Sequence, residues 1–417
     1  MLFKLALSSL INRKTTVILT IASIAISIAI VLSVEHIRQQ VKNSFTSTLS
    51  STDLIVGARS GRINLLLYSV FRIGNATNNI DWNSYQTIAK QKGVSWTIPI
   101  SLGDAHKGYR VLGTTQDYFR HYRYGQKQNL SFAKGEMFTG VYDAVLGAEV
   151  ARKLGYTLGQ KIILSHGITE VSFTQHDDKP FTITGILKPT GTPVDQTVHI
   201  SLAGMEAIHI DWQNGAPIGG LKIDAATALT KDLTPKNITA FLVGLDNKIM
   251  TFRLQRQINE YRGEPLMSIL PGVALSELWQ IMSVVEKVLA LIAALVVIAS
   301  LLGMTTMMLS TLNQRQREIA VLRATGASAG FIFCLIELEI ILITFAGIVL
   351  GLALLWLLML VAQPIIMDYY GILLSSNPLS LSILYYLVVI FMLTSLLACI
   401  PAWQAYRQSL SQGLMTK

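Results

Sequence analysis

The chain has 417 residues, room for one membrane domain and one sizeable domain outside it. Apolar residues make up 51% and charged residues only 14%, a balance that argues against a soluble globule. The net charge of +9 comes without zinc-finger spacing or a basic run, so it is assigned to flanks of membrane spans facing anionic lipid, not to nucleic acid. Two cysteines, Cys334 and Cys399, make neither a disulfide framework nor a thiolate metal site, and are read as small packing residues.

Residues 1–14 hold Leu2, Phe3, Leu5, Ala6, Leu10 and Ile11 interrupted by Lys4 and two serines, and read as a cytoplasmic interfacial amphipathic helix. Residues 15–35 hold an uncharged stretch, Thr15–Val34, which is longer than the roughly 7–15 residues of a signal-peptide core; it is expected to be a retained first span, TM1. Residues 36–280 contain no comparable apolar run and are expected to form a mixed α+β periplasmic domain of two lobes. Strands are predicted at Asp53–Ala58, Val94–Leu102, Tyr109–Thr114, Ala144–Gly147, Lys161–Leu164, Phe181–Leu187, His199–Leu202, Lys222–Ile223 and Ala240–Val243. Helices are predicted at His36–Leu49, Asn64–Phe71, Asp81–Gln91, Glu149–Leu154, Ala203–Ile208 and Lys248–Arg262.

Residues 281–310 read as TM2 with a periplasmic stalk, 330–362 as TM3, 363–380 as a short periplasmic link and 381–403 as TM4. Each apolar run reaches the roughly 20 residues that cross a bilayer core. Gly347 and Gly351 form a GxxxG in TM3 that lets another helix approach closely. Residues 404–417 are a cytoplasmic tail. The expected fold class is therefore a membrane protein: four transmembrane α-helices plus a large mixed α+β periplasmic domain inserted between helices 1 and 2, with both termini cytoplasmic, in the inner membrane.

Between TM2 and TM3 lies the charged segment 311–329, TLNQRQREIAVLRATGASA. Arg315, Arg317 and Arg323 against Glu318 place it inside by the positive-inside bias. Ile319, Val321 and Leu322 between those charges suggest a short amphipathic helix lying along the membrane, ended by Gly326. The bland alternative is a loop whose arginines only set topology.

QRQREIAVLRATGAS resembles the cytoplasmic coupling segment of the MacB/LolC/LolE/FtsX-like ABC transporter permeases. FKLALSSLINRKTTVILTIASIAISIA is similar to that family's start, VLGAEVARKLGYTLGQKI with FTITGIL to its periplasmic domain, and IPAWQAYRQSLSQGL to its end. The resemblance implies a permease of the type VII, mechanotransmission class. It implies a second permease chain as a homodimer partner and two copies of a cytoplasmic ABC ATPase that bind ATP and Mg. The chain itself would need no cofactor. The candidate ATPase-coupling residues are Arg315, Arg317, Glu318, Ile319, Leu322, Arg323 and Gly326. Residue chemistry suggests that Glu318 meets a base, that Arg317 and Arg323 meet carboxylates, that Ile319 and Leu322 fill an apolar pocket on that ATPase, and that Ala324 and Gly326 allow close backbone approach. The substrate would be a lipoprotein, peptide, small hydrophobic molecule or metal-linked cargo, with a periplasmic lipoprotein, adaptor or binding protein as a further partner. The alternative is an ATP-driven signalling scaffold that activates a periplasmic enzyme.

No GxxxxGK[ST], GxSxG or HExxH occurs in the sequence, so no catalytic residue is assigned. All seven histidines lie between His36 and His209. Of these, His166, His176 and His199, with Asp178, are candidate metal ligands, because imidazole and carboxylate suit Zn²⁺. Their spacing matches no compact zinc motif, and solvated surface histidines are the ordinary alternative.

Overall fold

A computed structural model describes residues 2–167, 176–213, 216–217, 223–370 and 380–411. They fall into two compact units. Met1–Val41, Ser283–Ile365 and the last helix belong to one; Lys42–Met282 belongs to the other. The polar stretch 168–175, the link residues 371–379, Lys222 of the strand expected at Lys222–Ile223, and the tail residues 412–417 lie outside the described residues.

The first unit is helical. Leu2–Asn12 is a short helix, and four others are long and apolar enough to cross a bilayer: Lys14–Asn43, Pro271–Gln314, Ala329–Ile365 and Leu381–Arg407. The expected break between TM1 and a separate helix at His36 does not occur; one helix runs through Lys14–Ser47 because no Gly or Pro interrupts it. The expected link at 363–380 is likewise partly helical, since Ala329–Tyr370 continues past Pro364. Proline in an apolar spanning helix is tolerated where neighbouring groups satisfy the freed carbonyl. The helix Pro271–Gln314 has 44 residues, about 66 Å, twice what the hydrocarbon core requires. Its large apolar side chains, such as Leu291, Leu295 and Ile298, are mostly exposed. Cys334 and Cys399 are free and exposed, not packed as expected.

Gly347 and Gly351 lie one helical turn apart and face Ile24 and Ile28 of the first long helix. A Cβ on Gly347 would stand 2.6 Å from Ile24 Cγ2, and one on Gly351 would stand 2.9 Å from Ile28 Cγ2 and 3.0 Å from the Ala25 carbonyl. Small residues here let two backbones meet, which is how helices associate where lipid removes the hydrophobic drive.

The second unit is α+β. Its main sheet runs in the order Leu266–Ile269, Leu54–Ala58, Ala240–Leu245, Val94–His106, Tyr109–Thr114, Thr197–Ser201, Asp143–Leu146, Phe181–Leu187, Phe132–Gly135. Two short strands join at its sides, Ser165–His166 on Val94–His106 and Lys161–Ile162 on Phe181–Leu187. Pairings are antiparallel except Thr197–Ser201 with Tyr109–Thr114 and Phe181–Leu187 with Asp143–Leu146. Where two lobes were expected, the main sheet is continuous, with one half on each side of Val94–His106. The 13-residue strand Val94–His106 belongs to both, pairing with Ala240–Leu245 up to Ile100 and with Tyr109–Thr114 from Ser101, the second pairing with a register shift between Leu102 and Ala105. Leu54–Ala58 is buried at every position, as an apolar strand covered on both faces must be. Helix starts follow local chemistry: Asp81 caps Trp82–Ala89 by accepting from the Asn83 amide at 2.8 Å, and Ser201 caps Leu202–His209 through the Gly204 amide at 2.9 Å.

Replacing Gly347 by Leu drives a side chain into Ile24 and should destabilise the helical unit by about 1–3 kcal/mol. Gly303→Ala, whose Cβ meets nothing within 4 Å, is the matched control. Thermal unfolding of the purified chain in detergent checks this. An unchanged melt for Gly347→Leu would show that the two helices do not pack closely there.

Candidate functional site

The charged segment folds as a short helix, Gln316–Ala324, between the ends of two long ones. It stops by backbone chemistry. Gly326 takes φ +99, the Gly326 amide donates to the Arg323 carbonyl at 3.1 Å, and the Ala327 amide donates to the Leu322 carbonyl at 3.0 Å. That is a Schellman ending, which a residue with a Cβ would strain. Ser328 then opens the next helix by accepting from the Phe331 amide at 3.1 Å.

What holds this corner is a buried cluster of ions. Glu339 is 1% exposed and takes both Arg315 Nη1 (2.9 and 3.1 Å) and Arg13 Nη2 (3.1 Å). Arg315 Nε also donates to Glu318 at 2.9 Å, and Arg13 Nη2 to Ser9 Oγ at 2.8 Å. One carboxylate thereby ties together the junction of the first two helices, the junction after Gln314 and the helix Ala329–Tyr370.

Two sequence expectations are corrected here. Arg315 is buried and committed to Glu339, so it is not a free docking base. Ile319 is 6% exposed and points into its own unit, where the short helix rests against Leu381–Ser411. The apolar side chain that faces outward is instead Val321, 62% exposed. Beside it stand exposed Arg317, the exposed side chain of Glu318, half-buried Leu322 and Arg323, and exposed Ala324. Arg323 is partly tied down by the Ala327 carbonyl at 3.0 Å.

In the α+β unit, His166 and His176 come together, but with Asp104 and His209 in place of Asp178 and His199. Asp104 and His166 are direct cross-strand partners, with Nδ1 of His166 3.1 Å from Asp104 Oδ1. His209, the last residue of Leu202–His209, brings Nε2 to 3.5 Å from the same oxygen, and His176 Nε2 stands 4.0 Å away. His209 Nδ1–H donates to the Met205 carbonyl at 2.9 Å, which turns Nε2 toward Asp104. The Trp212 ring lies across the group, 4.8 Å from His176 and 5.2 Å from His166 between centroids.

Burial alone would raise the Asp104 carboxyl, but the imidazoles of His166 and His209 outweigh it and hold it at about 2. Burial pulls His176 down to about 4, so it is neutral at physiological pH. Burial also works on His209, yet the Asp104 carboxylate overcomes it and raises that imidazole.

Asp178 and His199 are elsewhere. Asp178 accepts from the fully buried Lys179 Nζ at 2.6 Å, which also donates to both Asp211 oxygens at 3.1 Å. His199 is fully buried beside the Tyr118 and Phe119 rings, donating Nδ1–H to the Val145 carbonyl at 3.2 Å, and burial drives it down to about 3. It is a neutral core side chain.

Residues 17–241 match the MacB-like periplasmic core domain and residues 290–410 the FtsX-like permease C-terminal domain. The chain belongs to the MacB/FtsX-like family of ABC transporter permeases. It is 23% identical over 378 residues to the macrolide export ATP-binding/permease protein MacB of Shewanella oneidensis, an alignment spanning 85% of this chain and 52% of that one. The chain thus covers about half the length of this curated relative. Among solved structures it is similar to the periplasmic region of MacB from Actinobacillus actinomycetemcomitans, at 11% identity and TM-score 0.33 over 55% of this chain and 94% of that one. It is also similar to the extracellular domain of the noncanonic ABC-type transporter YknZ from Gram-positive bacteria, at 12% identity and TM-score 0.30 over 53% and 100%. With those two family matches, the four described helices long and apolar enough to cross a bilayer and the mixed α/β, MacB-like domain after the first make it a membrane protein of that family.

Glu339→Gln leaves buried Arg315 and half-buried Arg13 without their shared counter-charge and should cost about 3–5 kcal/mol. Adding Arg315→Met to it should recover part of that loss, because one stranded charge is removed. Denaturation of the detergent-solubilised variants measures both; a Glu339→Gln chain as stable as the parent would show that the cluster does not hold the corner.

Proposed function

We propose that the chain is the permease subunit of an ABC transporter in which ATP hydrolysis occurs on a partner ATPase. The chain converts it into movement of the periplasmic domain, which moves or extracts the substrate on that side. The observation that carries this reading is the short helix Gln316–Ala324. It is braced from within by Arg315, Ile319 and Glu339, and it offers Arg317, Glu318, Val321 and Leu322 outward. A helix that only set topology would need its arginines, but neither an exposed valine nor a buried brace.

In this reading both termini and the short helix are cytoplasmic, in the inner membrane of a Gram-negative cell. Three arginines in the segment support that orientation. ATP and Mg bind the ATPase, two copies of which serve two permease chains in a homodimer. The sequence holds no phosphate-binding GxxxxGK[ST] of its own. The Shewanella relative is a macrolide export protein, which makes a small hydrophobic molecule one substrate to try, beside lipoprotein, peptide and metal-linked cargo. Transmission runs along Lys14–Ser47 and Pro271–Gln314, continuous helices too long for the bilayer alone. A push at one end of such a rod moves the other with little loss, because each backbone hydrogen bond is already made.

Val321→Asp puts a charge at the centre of the outward face. It should reduce copurification of the ATPase, and the permease-dependent stimulation of its activity, by about tenfold or more, as loss of an anchor residue does. Circular dichroism and membrane insertion should stay as in the parent. Full stimulation by a Val321→Asp, Arg317→Glu double variant would exclude this helix as the docking element.

A further inference from the structure

We propose that Asp104, His166, His176 and His209 form a binding site for a first-row divalent transition metal, Zn²⁺ by the chemistry of its donors, in the periplasmic domain. The four candidate ligand atoms lie within 4.8 Å of one another. Metal bonds of about 2.0–2.1 Å at tetrahedral angles place ligand atoms about 3.3 Å apart. The separations from Asp104 Oδ1, at 3.1, 3.5 and 4.0 Å, bracket that edge and need only small side-chain adjustment to close on an ion.

An ordinary buried ion pair accounts for one imidazole on one carboxylate, not for three. Asp104 is 2% exposed and His176 1%, and their Oδ2 and Nε2 atoms, with Nε2 of His209, have no hydrogen-bond partner. Leaving three buried polar atoms unsatisfied is costly, and such atoms call for an explanation. A cation at their common centre supplies one. The surroundings fit as well. The Met205 carbonyl holds His209 in the tautomer that ligates through Nε2, an arrangement typical of metal-bound imidazole. The Trp212 ring packs against the histidines and keeps the site partly dry. Three imidazoles and one carboxylate with no thiolate favour Zn²⁺, Ni²⁺ or Cu²⁺ over Mg²⁺ or Ca²⁺.

The ligands come from four separate pieces: the end of Val94–His106, the short strand Ser165–His166, His176 and the last residue of Leu202–His209. An ion here would fasten the flank of the sheet to the helix beside it, independently of the coupling helix and of any nucleotide. Because the chain would bind metal through its own residues, the test does not depend on transport.

The full chain, untagged and purified in detergent, is stripped with chelator and titrated with Co²⁺ and then Zn²⁺. The expected result is a visible four-coordinate Co²⁺ spectrum that saturates at one ion per chain and is displaced by Zn²⁺, together with a rise in unfolding temperature on adding Zn²⁺. His176→Ala and His209→Ala should each weaken binding by at least about tenfold, the loss that even an outer-shell change produces. Asp178→Asn and His199→Ala should leave it unchanged. Asp104→Asn keeps the shape of the site and removes the charge, so it should weaken binding with the circular dichroism of the parent. A folded chain that shows no saturable binding, or binding that survives the His176→Ala, His209→Ala double change, would overturn the proposal.

Discussion

The carboxylate of Glu339 is the constraint on which the membrane unit turns. It is nearly excluded from solvent and holds two guanidinium groups, Arg13 and Arg315, from two other helix ends. A charge in such a place is tolerable only when paired and hydrogen-bonded, because desolvation is otherwise too expensive. The cluster therefore braces the corner through its pairings. While it is formed, the corner after Gln314 is fixed, and Gln316–Ala324 keeps one face toward the bundle and the other outward. At the far end of the same unit, Arg38 holds Glu35 at 2.8 Å and reaches Glu286 at 3.4 Å, linking the first two long helices where they leave the apolar zone. Between these two clasps the contacts are apolar and close, with Gly347 and Gly351 against Ile24 and Ile28.

These features support the proposed passing of displacement over the opening of a polar path. Within the described spans, the ionisable groups with partners sit near the ends, at Arg13, Arg315 and Glu339 on one side and Glu35, Arg38 and Glu286 on the other. Charges that mark an ion or proton pathway would instead be expected at mid-depth. Rigidity at the corner and continuity along Pro271–Gln314 are what a lever needs, and the family to which the chain belongs is one of ABC permeases.

Much of the architecture was legible because it is written in one dimension. Apolar runs, the charges between them and the glycine at 326 can be read without knowing any contact. The orientation of Gln316–Ala324 was not legible. Both Ile319 and Val321 are β-branched apolar residues between charges, and only the position of Leu381–Ser411 and Glu339 decides which one is covered. Glu339 itself was visible as an acid near a span end with arginines in reach, but its partners lie 24 and 326 positions away. The histidine cluster shows the same limit. His166 and His176 are close in sequence. Asp104 joins them only through a strand pairing 62 positions long, and His209 only through the docking of its helix. His199 was misplaced because an imidazole in the strand Thr197–Ser201 looks the same in sequence whether it meets ions or the rings of Tyr118 and Phe119.

The central claim is that the braced helix and the α/β domain lie on opposite sides of one membrane, so that work done on the first is delivered at the second. Single cysteines at exposed Thr325 and Asp246, in a chain whose Cys334 and Cys399 are replaced by Ser, test this with a membrane-impermeant maleimide. Asp246→Cys should be labelled in intact spheroplasts, and Thr325→Cys only after the membrane is opened. Labelling of both from the same side would contradict the account.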